Sequence, residues 1–85
     1  MLTLTLNSAE LNILFRQNPS TRQQGGFQSF LVQLQEKTDR KTGLITLTDR
    51  DLERISRYAF NYRNGGWQSC LKGIFARHLG ENLLG

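Results

Sequence analysis

An α+β fold is what this sequence predicts: an internally duplicated β-α-α-β-α-α chain with a two-stranded antiparallel sheet and four helices related by a pseudo-twofold axis. Three observations carry that expectation. The phrase "QQGGFQS" at residues 23–29 returns as "RNGGWQS" at 63–69. "LTLNSAEL" (4–11) returns as "ITLTDRDL" (45–52), a shift of 41, and "GGFQSFLVQL" (25–34) returns as "GGWQSCLKGI" (65–74), a shift of 40. Identity is low, but matched positions carry related physical roles. The 85 residues read as one small domain of two repeats, about 2–37 and 43–79, joined by "KTDRKTG" (37–43).

Each element has its own signal. Leu2, Leu4 and Leu6 alternate with Thr3 and Thr5, and Ile45 and Leu47 alternate with Thr46 and Thr48. Alternation with period 2 marks a strand with one buried face. Asn7 with Glu10 reads as a capping box, and Thr48 with Asp51 as a looser one. Leu6 and Leu47 stand just before these caps, Leu11 and Leu52 four residues after, so each pair can form a hydrophobic staple. The first helix of each repeat carries an apolar stripe: Leu11, Leu14 and Phe15, then Leu52, Ile55, Tyr58, Ala59 and Tyr62. In the second helices, Phe27, Phe30, Leu31 and Leu34 recur as Trp67, Cys70, Leu71 and Ile74, each set on one helical face. Two short strands are not stable alone in water, so the helices must pack over them.

The totals bound the function. A chain this short buries roughly 60–65% of its unfolded surface, so its core is modest and a homodimer would help it. Lys and Arg number 11 against 7 Asp and Glu, a net charge of +4. No acidic residue falls between Glu53 and Glu81, where Arg54, Arg57, Arg63, Lys72 and Arg77 do. The other acid-free stretch, Leu11 to Gln35, holds only Arg16 and Arg22. An anion-attracting face is therefore expected mainly in the second half. A single cysteine allows no intrachain disulfide and suits a reducing, cytoplasmic setting. The first ten residues lack the basic and apolar regions of a signal peptide, and no apolar run is long enough to span a membrane. One His and one Cys make a zinc site within the chain unexpected. Neither a catalytic constellation nor a cofactor motif stands out.

Several residues are candidates for binding. Gly25–Gly26 and Gly65–Gly66 each precede a helix, where uncovered amides and the macrodipole attract phosphate. Arg22 and Arg63 stand just before these pairs. Tight packing of the helix starts is the structural alternative. Gln28 and Gln68 flank the apolar stripes, and Ser29 and Ser69 lie outside them. Exposed polar side chains in a first helical turn suit base contacts, Gln with adenine for example. They also suit local capping. Lys72, like Arg63, has no acidic sequence neighbour. Arg50, Arg54 and Arg57 lie opposite the stripe of their helix, as a solvated face would. Tyr58, Phe60, Tyr62 and Trp67 interleave with basic residues and could stack on bases, though all but Phe60 fall on core stripes. Ser69, Gly73 and Ala76 form a face of small residues, suited to a protein interface or to a helix of the same chain. Cys70 reads as a buried thiol, and His78 as a residue interacting with a helix C-terminus.

The sequence thus points to a small non-enzymatic binding protein. Its leading reading is a basic nucleic-acid-binding regulator, for DNA or RNA. Arg63, Gly65, Gly66, Gln68, Ser69 and Lys72 form its site, echoed by Arg22 and Gln28. The second reading is a protein-protein interaction module, an adaptor or small inhibitor, docking through Ser69, Gly73 and Ala76 or through the duplicated loops.

Overall fold

The computed structural model describes residues 1–18, 25–80 and 83. Strand β1 (Leu2–Thr5) leads to α1 (Ser8–Leu14) and α2 (Gly26–Lys37). Strand β2 (Leu44–Leu47) leads to α3 (Asp49–Ser56), which continues as a π-helical segment over Arg57–Asn61, and then to α4 (Gly65–Leu79). Among the described residues the architecture is α+β, with four α-helices and a two-stranded antiparallel sheet.

The sheet follows the predicted alternation. Leu2 pairs with Leu47, Thr3 with Thr46, Leu4 with Ile45 and Thr5 with Leu44. Leu4, Ile45 and Leu47 turn inward, while Thr3 and Thr5 face solvent. The Thr3 and Thr46 hydroxyls are 3.2 Å apart on the outer face. A tight turn delivers β2. The Asp39 carboxylate accepts the amide of Lys41 at 2.9 Å, and Gly43 N–H donates to Asp39 O at 2.6 Å. Gly43 has φ 80, and a Cβ there would lie 2.2 Å from Leu6 O, so only glycine fits. Gly80 closes α4 as its C-cap at φ 84, a left-handed conformation that glycine adopts without strain.

Both first helices start with complete capping boxes. Asn7 Oδ1 accepts Glu10 N–H at 2.8 Å, and Glu10 Oε1 accepts Asn7 N–H at 2.8 Å. Thr48 Oγ1 accepts Asp51 N–H at 3.1 Å, and Asp51 Oδ2 accepts Thr48 N–H at 3.0 Å. The shorter Asp thus closes the second box as fully as Glu closes the first. Each boxed carboxylate also receives a cation from a more distant helix. Arg77 of α4 donates to both oxygens of Glu10, at 2.9 and 3.2 Å, and Lys37 of α2 pairs with Asp51.

The core lies between the sheet and the helices. Leu14, Phe30, Leu34, Leu47, Ile55, Leu71, Ile74 and Phe75 are almost fully buried. Leu83 joins them, its N–H bonded to Gly80 O at 2.9 Å. One buried polar side chain was not anticipated. Gln35 donates from Nε2 to Leu14 O and Gln17 O, at 2.9 and 2.8 Å, and so caps the open carbonyls after α1.

Candidate nucleic-acid interface

The π-helical segment decides which aromatics reach the surface. A π turn holds more residues than an α turn, so side chains beyond it rotate away from the α-helical stripe. The sequence puts Tyr62 on the core stripe with Tyr58 and Ala59. Ala59 is buried and Tyr58 half-buried, but Tyr62 is 52% exposed. Phe60, expected off the stripe, is at the surface.

Tyr62 ends a train of rings that begins in the core. Phe30 stacks on Tyr58 with centroids 5.4 Å apart, and Tyr58 stacks on Tyr62 at 5.2 Å. Trp67 meets both tyrosines edge-on at 5.6 Å and stacks on Phe27 at 4.8 Å. Gly26 makes room for this packing, since a Cβ there would lie 2.7 Å from the Tyr58 hydroxyl. For Gly26, close packing is the observed role.

The second pair differs. Nothing lies within 4 Å of where a Gly65 Cβ would stand. Asn64 caps the helix, its Oδ1 accepting Gly66 N–H at 3.0 Å and Trp67 N–H at 3.1 Å. Two of the amides that the sequence leaves open to a phosphate are therefore occupied. Arg63, just before the cap, has φ 52 and is exposed. Among the described residues, neither Arg63 nor Lys72 has an ion-pair partner.

The predicted site residues separate into two groups. Gly65, Gln68 and Lys72 are spaced by three and four residues, which puts them on one face of α4. Gly66 and Ser69 instead line a cleft of about 530 Å³ with Gln28 of α2. Arg16, which the sequence reading did not assign to the site, lines it too, with Ile13, Phe27, Trp67 and Cys70. Only the packing of the helices could reveal that. Burial pushes the Cys70 thiol above its ordinary pKa despite the opposing pull of Arg16, so the thiol stays protonated at neutral pH. Arg22 lies outside the described residues.

The small-residue face of α4 is partly used within the chain. A Cβ on Gly73 would lie 2.8 Å from Ile13 Cδ1 of α1, so the close approach that glycine permits is made by this chain's own helix. Ala76 packs against the core, and Ser69 is exposed. His78 sits in the last turn of α4, as expected, and its Nε2 lies 3.4 Å from the Glu10 carboxylate.

Among the described residues, no three His, Cys, Asp or Glu side chains gather as metal ligands, and no helix is long and apolar enough to cross a membrane. No protein-family model, curated protein or solved structure matches the chain, so its functional reading rests on its own residues.

Proposed function

We propose that this chain is a small non-enzymatic protein that binds single-stranded DNA or RNA at the junction between the π-helical segment and α4. Tyr62 offers a ring face to a base. Arg63 and Lys72 receive phosphates, and Gln68 adds a polar contact. The observation that carries this reading is the half-exposed Tyr62, held by the ring train beneath it and followed directly by Arg63, which has no ion-pair partner among the described residues. A ring already held in position loses little entropy on stacking, and base–aromatic stacking contributes about 1–3 kcal/mol per base. Titrating labelled single-stranded and duplex oligonucleotides at two salt concentrations tests it. Single strands should bind, and affinity should fall steeply with salt. Tyr62→Ala should weaken single-strand binding at least fivefold with little loss of stability. No binding at low salt would end this reading. It would favour a protein-binding module instead, for which exposed Phe60 and Tyr62 beside Arg63 also supply anchor-type residues.

The same reading includes an internal duplication with a pseudo-twofold axis, and the sheet register supports it. A shift of 41 maps Leu4 onto Ile45, and these two are ladder partners. It maps the partners Thr3 and Thr46 onto Leu44 and Thr5, also partners. It maps Leu2 and Leu47 onto Gly43 and Leu6, which are joined by the Leu6 N–H donating to Gly43 O at 2.8 Å. The ion pairs agree. Glu10 with Arg77 corresponds to Asp51 with Lys37, each crossing from one repeat to the other. Phe27 and Trp67, matched in sequence, stack on each other, as residues beside such an axis would.

A further inference from the structure

The two repeats place different residues at corresponding helix crossings, and one crossing is left open. Where α1 meets α4, Ile13 fills the space over Gly73. The matched residues at the crossing of α3 and α2 are Arg54 and Gln33. They do not interdigitate. Arg54 NH1 donates to Gln33 Oε1 at 3.0 Å, and its guanidinium lies 4.5 Å from the centre of the Phe30 ring. Gln33 is oriented for this, its Nε2 lying 3.5 Å from Ser29 Oγ. A cleft of about 640 Å³ opens there, lined by Gln33, Arg50, Glu53, Arg54, Arg57 and Tyr58.

We infer that this cleft is a phosphate-binding site whose central group is Arg54. Its lining carries three guanidiniums and one carboxylate. That carboxylate, Glu53, is engaged by Arg57 at 2.6 Å on the exposed side. Among the described residues, Arg50 and Arg54 have no carboxylate partner, unlike Arg57, Arg77 and Lys37. The Arg54 fork is held by a neutral amide and a ring, which orient it without cancelling its charge. An oriented guanidinium with free N–H groups matches two phosphate oxygens at once. Arg50 precedes it by one helical turn and Arg57 follows by three residues, so all three share one helix face. The ligand is a phosphate-rich group, either a free oligophosphate or the backbone of a nucleic acid. The site adjoins the Tyr62 surface through Tyr58, which lines the cleft and stacks on Tyr62, but its phosphate contacts use the arginines and not the Tyr62 ring.

Two probes separate the sources. Inorganic pyrophosphate and a single-stranded oligothymidine are titrated at low salt, following the backbone amide resonances of α3 by NMR, which every variant retains. Pyrophosphate should shift those around Arg54. Arg50→Ala and Arg54→Met should each weaken binding about tenfold, the loss of one charge-assisted contact. Methionine keeps an apolar stem over Phe30, so the Arg54→Met variant should stay folded, which its amide spectrum checks. A response to oligothymidine alone, lost in Arg54→Met, assigns the site to a nucleic-acid backbone. A response to neither probe, or binding indifferent to both substitutions, overturns the site. Tyr62→Ala should leave pyrophosphate binding unchanged. Pyrophosphate binding with no oligonucleotide binding would therefore sink the single-strand reading while sparing this one.

Discussion

The crossing of α1 on α4 and the crossing of α3 on α2 occupy matched places in the chain but are built oppositely. The first is closed, an isoleucine set against a glycine. The second is held apart by an arginine bonded to a glutamine. A closed apolar crossing gains dispersion and area burial and presents nothing polar to a ligand. An open polar crossing gains less stability but leaves oriented donors facing water. One architecture can thus assign stability to one crossing and binding to the other, by two residues in each.

Exchanging those residues breaks the contrast most severely. Gly73→Gln would drive a long side chain against the tip of Ile13; overpacking of this kind costs about 1–3 kcal/mol, of which about 1 kcal/mol is offset by the helix propensity that glycine lacks. A lowered urea midpoint measures it. An unchanged midpoint would mean that α1 can move off α4 freely. The boxed carboxylates sharpen the comparison next. Glu10→Ala removes a nearly buried group that caps α1 and accepts Arg77, and should cost about 2 kcal/mol. Asp51→Ala removes a cap whose pair with Lys37 is at the surface, and should cost about 1 kcal/mol. Equal losses would show that burial of the first pair contributes nothing.

The pH profile extends the same test. Burial acts to raise the Glu10 pKa, but Arg77, the Asn7 amide and the His78 side chain together hold it below its usual 4.5. Asp51 is likewise lowered from 3.8, burial again being outweighed, here by Lys37 and the Thr48 groups. Both groups therefore stabilise the fold fully above their unfolded pKa values, and that stability is lost as pH falls through the lowered folded values. Acid melts should show a destabilising slope below about pH 4.5, reduced in Glu10→Gln and again in the double variant with Asp51→Asn. The smallest effect belongs to the open crossing. Gln33→Gly should cost only about 1 kcal/mol, the helix-propensity difference, because little packs on that side chain.

Local signals reported local structure well. Alternating threonines marked both strands, and Asn7 and Thr48 marked both helix starts, because period and capping depend on residues close in sequence. Tyr62 was not legible in the same way. Its i, i+4 relation to Tyr58 assumes α-helical winding, and the π turn over Arg57–Asn61 changes the angle. Nor were Arg16 and Gln35 legible, since what they line or cap belongs to other elements. Arg50, Arg54 and Arg57 read as an ordinary solvated face because a sequence does not show whether the helix opposite closes over it.

By itself, the sequence determined the order of elements, their caps, the inward faces of the strands and the acid-free run of cations from Arg54 to Arg77. Each follows from spacing along one chain. Only the tertiary structure decided which cations found carboxylates, which glycine was needed for packing, and which crossing closed. Those outcomes depend on distances between residues far apart in the chain. At Gly73 the absence of one Cβ leaves room for the tip of Ile13, whereas at the matched place Gln33 accepts a hydrogen bond from Arg54.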